Sequence, residues 1–549
     1  MKIALCQVNF VVGDIGLNQV KMMEAIDRAR LAGADLVVFS ELSVCGYPPA
    51  DLLSFNGFVD KCLESVQRLA LHCQGIAAIV GSPVYNETGV GKRLYNAAFF
   101  LQNGAVDRVV LKGLLPTYDV FDEYRYFEPA ATFQTIEFMG KRLALTICED
   151  IWNIDTPRLY HVNPMDDLIR QLPDLMINIS ASPFSWNRGP ERMDILYKNV
   201  ASYRLPMFYV NQQGANTDLI FDGGSAVINA NKQLVCQLKS FSEDMQVVDT
   251  EQLPEAKTIQ HGLLPLDEDQ KNALLLDALR LGIRDYFHKT GLTKAIVGLS
   301  GGLDSALTLV LAADALGPEN LWAVLMPGPY SSDHSVRDAQ VLAENLGVTH
   351  DLIPIHHINN SLLDALQPFL NNTAPDITEE NLQARARAVV LMGLSNKYGH
   401  MLLNTSNKSE AAVGYGTLYG DMCGGISVIG DLYKTEAYAL ARYLNRHEEI
   451  IPWNTINKPP SAELKPDQKD TDSLPPYDIL DPILFQYIEK EKTVAEITAL
   501  GYDEKLVNRI ALLVNRSEYK RKQSPPVLRV SQKGFGTGRR MPIVANYLF

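Results

Sequence analysis

The stretch from residue 295 to residue 313 constrains the fold of this 549-residue chain more than any other. An apolar run (AIVGL, 295–299) is followed by the turn SGGLDS (300–305) and by a second apolar run (ALTLVLAA, 306–313). A short apolar run before paired glycines and a longer one after them indicate a strand, a tight turn and a helix. Parallel α/β sheets are built from such units and bind ligands at the C-terminal ends of their strands. The sequence therefore predicts a parallel sheet with a ligand site at this turn.

The turn has the composition of a phosphate-binding loop. Gly301 and Gly302 leave the backbone free to turn and allow its N–H groups to approach a ligand closely. Ser300 and Ser305 add hydroxyl donors, and the N-terminus of the following helix attracts anions. Asp304 would repel a phosphate unless a cation lay between them, which implies Mg²⁺ as a cofactor. The G-K-[ST] ending of a Walker loop is absent.

The S-G-G-x-D-S pattern resembles the pyrophosphate loop of the ATP pyrophosphatases, which cleave ATP between its α- and β-phosphates and adenylate a carboxylate or carbonyl oxygen. This family includes NAD, GMP, asparagine and argininosuccinate synthetases, and the loop alone does not choose among them. The resemblance implies that ATP is a substrate. It places ATP against Gly298, Leu299, Ser300, Gly301, Gly302, Leu303, Asp304 and Ser305.

Length, charge and cysteine content exclude several classes of protein. A chain of 549 residues is expected to form about two to four domains. A net charge of −14 argues against a nucleic-acid partner, and no apolar run approaches the ~18 residues of a membrane span. The seven cysteines lack a C-x-x-C pair and the N-terminus lacks a signal-peptide pattern. We therefore expect a soluble cytoplasmic protein that acts on small molecules, contacts no membrane and forms a homo-oligomer.

The chain reads as two α/β domains joined by a linker. Predicted strands of the first domain, residues 1–250, lie at 3–6, 36–39, 77–80, 143–147, 175–178 and 207–210, and a helix lies over 18–32. Residues 251–268 have no periodicity and carry two prolines, which predicts a linker. The second domain, residues 269–549, has predicted strands at 295–299, 321–325, 351–355 and 401–404 and helices at 335–346 and 378–398. Its order predicts a mainly parallel sheet.

Three reactive side chains of the first domain stand where predicted strands end: Glu41, Lys112 and Cys148. Strand ends that meet at one edge of a sheet bring such groups together. A nearby cation such as Lys112 lowers the pKa of a thiol, and a carboxylate such as Glu41 can carry its proton. Lys112 and a backbone N–H after Cys148 could then stabilise the oxyanion of an attacked amide. The pattern predicts a thiol amidase.

Together these residues resemble the Glu-Lys-Cys triad of the nitrilase superfamily, whose domain is a four-layer α-β-β-α sandwich. Segments 178–183 (NISASP), 209–212 (YVNQ) and 221–225 (FDGGS) resemble later motifs of its glutaminase branch. The resemblance implies glutamine as the substrate, with Cys148 as nucleophile, Glu41 as base and Lys112 as oxyanion partner. It also implies that glutamine binds to Tyr118, Ser182 and Arg188.

Eight segments of the second half look like the NAD synthetase pattern: 380–387 (ENLQARAR), 403–410 (LNTSNKSE), 413–422 (VGYGTLYGDM), 434–435 (KT), 460–464 (PSAEL), 473–477 (SLPPY), 519–521 (YKR) and 536–543 (GTGRRMPI). With the first half, nearly the whole chain resembles the glutamine-dependent NAD synthetase family. The resemblance implies a nitrilase-like sandwich followed by an adenine-nucleotide α-hydrolase-like α/β domain. It implies that deamido-NAD, ATP and glutamine yield NAD, AMP, pyrophosphate and glutamate through an adenylated carboxylate.

The same resemblance assigns residues of the second half to three ligands. Thr405 and Lys434 match ATP contacts. Asn381, Glu410 and Lys520 match contacts to deamido-NAD, and Asp304 and Glu410 match ligands of Mg²⁺. The sequence leaves open whether Arg385 and Arg387 bind phosphate or merely flank a helix.

Three other interpretations remain open from the sequence. A glutaminase of this type could feed another ATP pyrophosphatase, such as a GMP synthetase-like ligase. A regulatory protein could sense adenylate or glutamine with inactive sites, or an amidase could carry a scaffold.

The Pro-rich segment 458–476 is either an inert surface loop or a lid over the ATP site. The fusion of the two halves suggests that ammonia passes internally from one to the other. Equal synthetase rates with external ammonium and with glutamine, at matched low concentrations, would argue against such transfer.

Overall fold

The computed structural model describes residues 1–255, 266–370 and 373–548, and the chain divides into two compact units, Met1–Leu266 and Asp267–Phe549. Most of the predicted linker, 251–268, lies outside the described residues. Within the described ranges, none of the helices has both the length and the apolar character needed to cross a bilayer.

In the described part of the first unit there are fourteen strands and four α-helices. The strands are β1 (Lys2–Gln7), β2 (Leu36–Val38), β3 (Ala77–Tyr85), β4 (Leu94–Gln102), β5 (Ala105–Leu111), β6 (Ile136–Phe138), β7 (Lys141–Ile147), β8 (Leu175–Ser180), β9 (Met207–Asn211), β10 (Gln213–Asn216), β11 (Leu219–Asp222), β12 (Ala226–Ile228), β13 (Leu234–Gln237) and β14 (Asp244–Asp249). The helices are α1 (Ile15–Leu31), α2 (Asn56–His72), α3 (Pro164–Leu168) and α4 (Arg188–Tyr203). Two six-stranded sheets, β14-β1-β2-β3-β4-β5 and β13-β12-β9-β8-β7-β6, account for all strands except the hairpin β10–β11.

Alternation along the strands creates the layers of this unit. Ile3 and Leu5 of β1 pack in a core with Leu145 and Ile177 of the other sheet. Their neighbours on β1 point to the opposite face, where the first sheet packs against α1 and α2. A third core joins the outer face of the second sheet to α3 and α4. Because successive side chains of a strand point to opposite faces, this arrangement is the expected four-layer α-β-β-α sandwich.

The second unit contains five strands and twelve α-helices among its described residues. The strands are β15 (Ala295–Gly298), β16 (Leu321–Leu325), β17 (Thr349–Leu352), β18 (Met401–Asn404) and β19 (Ile426–Ser427). The helices are α5 (Glu268–Thr290), α6 (Leu303–Leu316), α7 (Asp333–Leu346), α8 (His356–Leu366), α9 (Ile377–Tyr398), α10 (Lys408–Val413), α11 (Lys434–Leu444), α12 (Trp453–Asn457), α13 (Tyr477–Ile488), α14 (Val494–Thr498), α15 (Glu504–Arg516) and α16 (Glu518–Arg521).

The five strands form one parallel sheet in the order β17-β16-β15-β18-β19, which confirms the predicted architecture. The helices α8 and α9 cover one face, where Ile355 and Leu391 pack on Ile296. The strand predicted at 351–355 is misplaced, because β17 ends at Leu352. Pro354 lacks an N–H group and cannot donate to the ladder, so the strand stops before it.

A buried ion cluster ties the C-terminal tail to α10. Lys408 is fully buried, and its Nζ lies 2.9 Å from Asp431 Oδ1 and 2.8 Å from Glu489 Oε1. The same Nζ donates to Ser531 Oγ at 2.7 Å and to the carbonyl oxygen of Lys533 at 3.0 Å. One cation therefore neutralises two buried carboxylates.

We expect Lys408→Met to destabilise the protein by about 3–5 kcal/mol, because it leaves buried carboxylates without their cation. The matched control is Lys490→Met. Its ammonium donates to Gln532 at 2.9 Å and lies 5.3 Å from the ring centroid of Phe485 at an exposed position, and the substitution should change stability by less than about 1 kcal/mol. Urea unfolding followed by tryptophan fluorescence measures both. Equal midpoints for the two variants would contradict the expectation.

Candidate active sites

The nucleophile predicted from the sequence lies in a strained turn at the end of β7. Cys148 is buried, has a φ of +45° and begins a short 3₁₀ turn, Cys148–Ile151. A left-handed backbone at a residue other than glycine costs free energy and persists only where its surroundings hold it. The α/β-hydrolases also present their nucleophile on a sharp turn after a strand.

The structure brings the two predicted partners of the thiol together and adds a third group. Lys112 Nζ donates to Glu41 Oε1 at 2.6 Å and to the two carboxylate oxygens of Glu123 at 2.9 and 2.8 Å. Asn96 Nδ2 donates to Glu41 Oε1 at 2.7 Å, and the backbone N–H of Ala181 donates to Glu41 Oε2 at 3.0 Å. Glu41 and Lys112 are fully buried, so one ammonium balances two carboxylates in a dry site.

The protonation of the thiol differs from the expectation. Burial and the charge of Glu41 raise the pKa of Cys148 well above its ordinary value, although Lys112 opposes them. Burial lowers the pKa of Lys112, but Glu123 and Glu41 outweigh burial, so that pKa is raised. The expected net lowering of the thiol pKa is therefore wrong. The resting sulfur carries its proton, and a base must remove it during attack.

A second carboxylate beside the thiol faces two of the predicted glutamine-binding residues. Tyr118 and Tyr160 donate from their hydroxyls to Glu149 Oε1 at 2.9 and 3.0 Å. The guanidinium of Arg188 lies 4.1 Å from the ring centroid of Trp152. Burial raises the pKa of Glu149, and Arg188 acts in the opposite direction. A carboxylate and a guanidinium near one thiol offer complementary partners for the two charges of an α-amino acid.

Ser182 follows the end of β8, at the same edge of the second sheet where Cys148 follows the end of β7. It is buried, and its backbone N–H donates to Asn211 Oδ1 at 2.9 Å. It directly follows Ala181, whose N–H binds Glu41. The three predicted glutamine-binding residues thus come from segments that adjoin the Glu41–Lys112–Cys148 group.

In the second unit, the predicted phosphate loop connects β15 to α6. Leu299 follows the end of β15 at Gly298 and donates its N–H to the carbonyl of Val324 at 2.9 Å, and α6 begins at Leu303. The Oγ atoms of Ser300 and Ser305 lie 3.0 Å apart.

Glycine is required at one position of this loop. Gly301 has a φ of +80°, and a Cβ there would lie 2.1 Å from the carbonyl oxygen of Ser335. The neighbouring Gly302 donates its N–H to Ser300 Oγ at 3.2 Å. The loop thus packs directly against the N-terminal part of α7, and no larger residue fits at position 301.

The two predicted metal ligands share one cation and one amide. Lys434 Nζ hydrogen-bonds Asp304 Oδ2 and lies 3.7 Å from Glu410 Oε1. Asn407 Nδ2 donates to Asp304 Oδ1 at 3.2 Å, and Asn407 Oδ1 accepts the backbone N–H of Glu410 at 2.9 Å. Burial and the charge of Asp304 raise the pKa of Glu410. Burial lowers the pKa of Lys434, but Asp304 and Glu410 outweigh it and the pKa is raised. Asp304, Glu410 and Lys434 therefore lie together beside the phosphate loop.

Two of the residues predicted to bind deamido-NAD bracket the segment after α10. Lys520 Nζ donates to the carbonyl oxygens of Gly414 and Gly416 at 2.8 and 2.7 Å. Asn381 Oδ1 accepts the hydroxyl of Thr417 at 2.7 Å. Thr405 follows the end of β18 and is partly buried. These positions surround the C-terminal edge of the parallel sheet, where a ligand is expected.

The two arginines left open by the sequence both bind backbone carbonyls. Arg385 Nε donates to Leu418 O at 3.2 Å, and Arg387 Nε donates to Met326 O at 3.0 Å. Both therefore anchor the loops that follow β16 and α10 to α9.

Segment 458–476 contacts residues beside the phosphate loop. Glu463 accepts hydrogen bonds from the hydroxyls of Ser332 and Ser335 at 2.8 and 2.7 Å, and Lys458 Nζ donates to Ser335 Oγ at 2.7 Å. Asp470 accepts from the hydroxyl of Tyr477 at 3.0 Å. Because Ser335 abuts Gly301, these contacts favour the lid over the inert loop.

Sequence reasoning missed four buried groups of these sites: Glu123, Glu149, Asp150 and Asn407. Glu149 and Asp150 directly follow Cys148, and Asn407 lies within the quoted motif 403–410, so their positions beside predicted site residues were an available signal. Glu123 begins a short 3₁₀ turn, Glu123–Arg125, that follows no predicted strand, and no local signal marks it.

Comparisons with known proteins match both units. A carbon-nitrogen hydrolase family model matches residues 2–254, and an NAD synthase family model matches residues 275–524. The chain is 45% identical over 553 residues to a glutamine-dependent NAD(+) synthetase of Synechocystis sp., covering 99% of each chain. It is 42% identical over 554 residues to that of Acinetobacter baylyi, covering 100% of this chain and 98% of the relative. A solved glutamine-dependent NAD+ synthetase of Acinetobacter baumannii in complex with ADP is 39% identical, with a TM-score of 0.78 over 99% of this chain and 98% of that one.

Proposed function

Because this chain belongs to the glutamine-dependent NAD(+) synthetase family, we propose that it amidates deamido-NAD to NAD with nitrogen taken from glutamine. The observation that carries the proposal is the 45% identity to a relative so named, over 99% of both chains. The geometry supports a division of labour. The first unit holds the thiol and its buried charged partners, and the second holds the phosphate loop and the paired carboxylates.

The first unit releases ammonia from glutamine. Glu41 takes the proton of Cys148 as the sulfur attacks the amide carbon, and Lys112 with a backbone N–H stabilises the oxyanion. Glu41 returns the proton to the leaving nitrogen, so ammonia departs and a thioester remains. Water, activated by the same carboxylate, then hydrolyses the thioester to glutamate and restores the thiol.

The amino-acid end of glutamine is held by groups beside the thiol. We assign its α-carboxylate to Arg188 and Ser182, because a guanidinium and a hydroxyl donate to carboxylate oxygens. Glu149, held by Tyr118, accepts from the α-ammonium group. A substrate that lacks either charge loses one of these partners.

The second unit activates the carboxylate of deamido-NAD. Its oxygen attacks the α-phosphate of ATP and pyrophosphate leaves, after which ammonia attacks the carbonyl carbon and AMP leaves. The loop Ser300–Ser305 and Lys434 hold the phosphates in line, with Thr405 beside them. Asn381 and Lys520 bind deamido-NAD, and segment 458–476 excludes water from the adenylate.

The residues at the phosphate loop suit Mg²⁺. Asp304 and Glu410 face the same ammonium, and Mg²⁺ in nucleotide sites takes one or two carboxylates together with substrate phosphates. Among the described residues, no group of three or more His, Cys, Asp or Glu side chains is placed to hold a metal without such phosphates. When bound, Mg²⁺ would neutralise the charge that develops on the phosphates.

We also propose a reducing, cytoplasmic location, because all seven cysteines are free thiols. The homo-oligomer and the domain boundaries 1–250 and 269–549 remain predictions. Light scattering of the purified chain tests the first, and expression of residues 1–250 alone, judged by glutamine hydrolysis, tests the second.

A panel of acceptors tests the proposed function. Purified protein receives ATP, Mg²⁺, glutamine and, one at a time, deamido-NAD or an acceptor used by another ATP pyrophosphatase. We expect AMP release to depend on deamido-NAD. AMP release with a different acceptor would favour another ligase, and glutamine hydrolysis without AMP in every case would favour an amidase with a scaffold.

A further inference from the structure

Asp150 makes an unusual set of contacts beside the reactive thiol. Its carboxylate is buried, and Oδ1 accepts the backbone N–H groups of Gly113 and Leu114 at 3.0 and 2.8 Å. Oδ2 accepts the backbone N–H of Ile147 at 2.9 Å. One side chain thus bonds the residues that directly follow Lys112 and the residue that directly precedes Cys148.

These bonds join two segments that no strand pairing joins. Lys112 leaves the first sheet at the end of β5, and Cys148 leaves the second sheet at the end of β7. Their mutual position therefore depends on the packing of the two sheets and on contacts after the strands end. Asp150 supplies a charge-assisted contact of this kind, and carboxylate–amide hydrogen bonds are stronger than neutral ones.

The turn that carries the thiol needs such support. Cys148 has a left-handed backbone at a residue with a Cβ, and this conformation persists only where neighbours fix it. Asp150 fixes the peptide on the N-terminal side of Cys148 through Ile147. Burial raises the pKa of Asp150 to about 7 although the N–H groups of Ile147, Leu114 and Gly113 oppose it, so the carboxylate is kept in this place at a cost in free energy.

We propose that Asp150 is a positioning residue for the glutaminase reaction: it holds the strained Cys148 turn in register with Lys112. The inference takes its substrate, glutamine, from the proposed function, whereas the hydrogen bonds of Asp150 support it independently of that function. It predicts that the carboxylate matters through its position, not through charge alone.

Asp150→Asn tests the inference, because an amide has the same shape but turns a donor towards one of the N–H groups. We expect kcat for glutamine hydrolysis to fall about 10²-fold, as for a misplaced reacting group, with a much smaller change in KM for glutamine. We expect the ammonium-supported rate of NAD formation to stay at the wild-type level. Asp150→Glu keeps the charge but displaces it by one methylene, and we expect a similar loss.

Asp174→Asn is the matched control. Asp174 is an exposed residue whose carboxylate accepts the backbone N–H of Arg142 at 2.6 Å, at the opposite end of the same strand β7. We expect this variant to retain the wild-type kcat. Wild-type kcat in Asp150→Asn or in Asp150→Glu would overturn the inference. So would parallel loss of the ammonium-supported rate, because the aspartate would then support the whole chain and not the thiol turn.

The full-length protein is alkylated with iodoacetamide and digested, and modification of the peptide that carries Cys148 is measured by mass spectrometry; this separates the inference from the proposed function. We expect Asp150→Asn to slow alkylation at least about 10-fold relative to Asp174→Asn, since Glu41 and Lys112 no longer face the sulfur correctly. This readout needs no glutamine. If the wild-type protein hydrolysed no glutamine, the proposed function would fail while an alkylation difference would still support the positioning role, and equal alkylation rates would overturn it.

Discussion

Cys148→Ala is expected to form no NAD from glutamine and to form NAD from a high concentration of ammonium at the wild-type rate. The sulfur is the protein atom that bonds covalently to the amide carbon in the proposed reaction, and loss of a nucleophile costs about 10⁴-fold or more in kcat. The phosphate loop and the paired carboxylates belong to the other unit and remain intact. The measurement is NAD formation with each nitrogen source, under otherwise identical conditions.

The matched control for this variant is Cys236→Ala. Cys236 is a partly buried residue of β13, and its loss should change neither rate. Loss of both rates in Cys148→Ala would refute the division of labour between the units. Retention of the glutamine-supported rate would remove Cys148 from the nucleophile role.

Asp304→Asn is expected to lower NAD and AMP formation at least about 10²-fold with either nitrogen source, because it removes the carboxylate proposed to hold the cation that neutralises the phosphates. Both nitrogen sources fail together in this variant, since adenylation precedes the attack of ammonia in either case. AMP release in the presence of glutamine and then of ammonium measures the effect. This pattern differs from that expected for Cys148→Ala, which loses only the glutamine-supported rate.

Asp314→Asn provides the control on the same helix. Asp314 lies near the C-terminal end of α6, where it pairs with Arg280 at an exposed position. The substitution is chemically identical and should leave AMP release unchanged. If Asp304→Asn behaved like Asp314→Asn, Asp304 would have no role at the phosphates.

Two of the three residues proposed to be catalytic in the first unit, Glu41 and Cys148, follow strands that the apolar pattern predicts, at 36–39 and 143–147. Glu41 and Lys112 follow strands of the first sheet and Cys148 follows a strand of the second, so the expectation that one sheet edge gathers all three was wrong. Packing of the two sheets brings the thiol to its partners. Glu123 was not predicted, because it begins a short 3₁₀ turn and only tertiary packing brings it to Lys112. The direction in which the pKa of Cys148 shifts was missed for a related reason. It depends on burial, which the local sequence does not report.

The fold shows the same division between local and tertiary information. The apolar runs at 295–299 and 321–325 predict β15 and β16, because buried parallel strands read as continuous apolar segments. The hairpin β10–β11 was not predicted, because its first strand, Gln213–Asn216, is polar and owes its pairing to the following strand. The S-G-G-L-D-S residues predicted the turn after β15. The structure explains the glycine at position 301, because a Cβ there would collide with the backbone of Ser335.

The central claim is that the two units cooperate on one nitrogen atom. Purified protein is given ATP, Mg²⁺, deamido-NAD and glutamine labelled with ¹⁵N in its amide, and the mass of the NAD formed is recorded together with glutamate and AMP. We predict ¹⁵N in the amide of NAD, with one glutamate and one AMP for each NAD. Glutamate released without any labelled NAD, or NAD formed without AMP, would contradict the account.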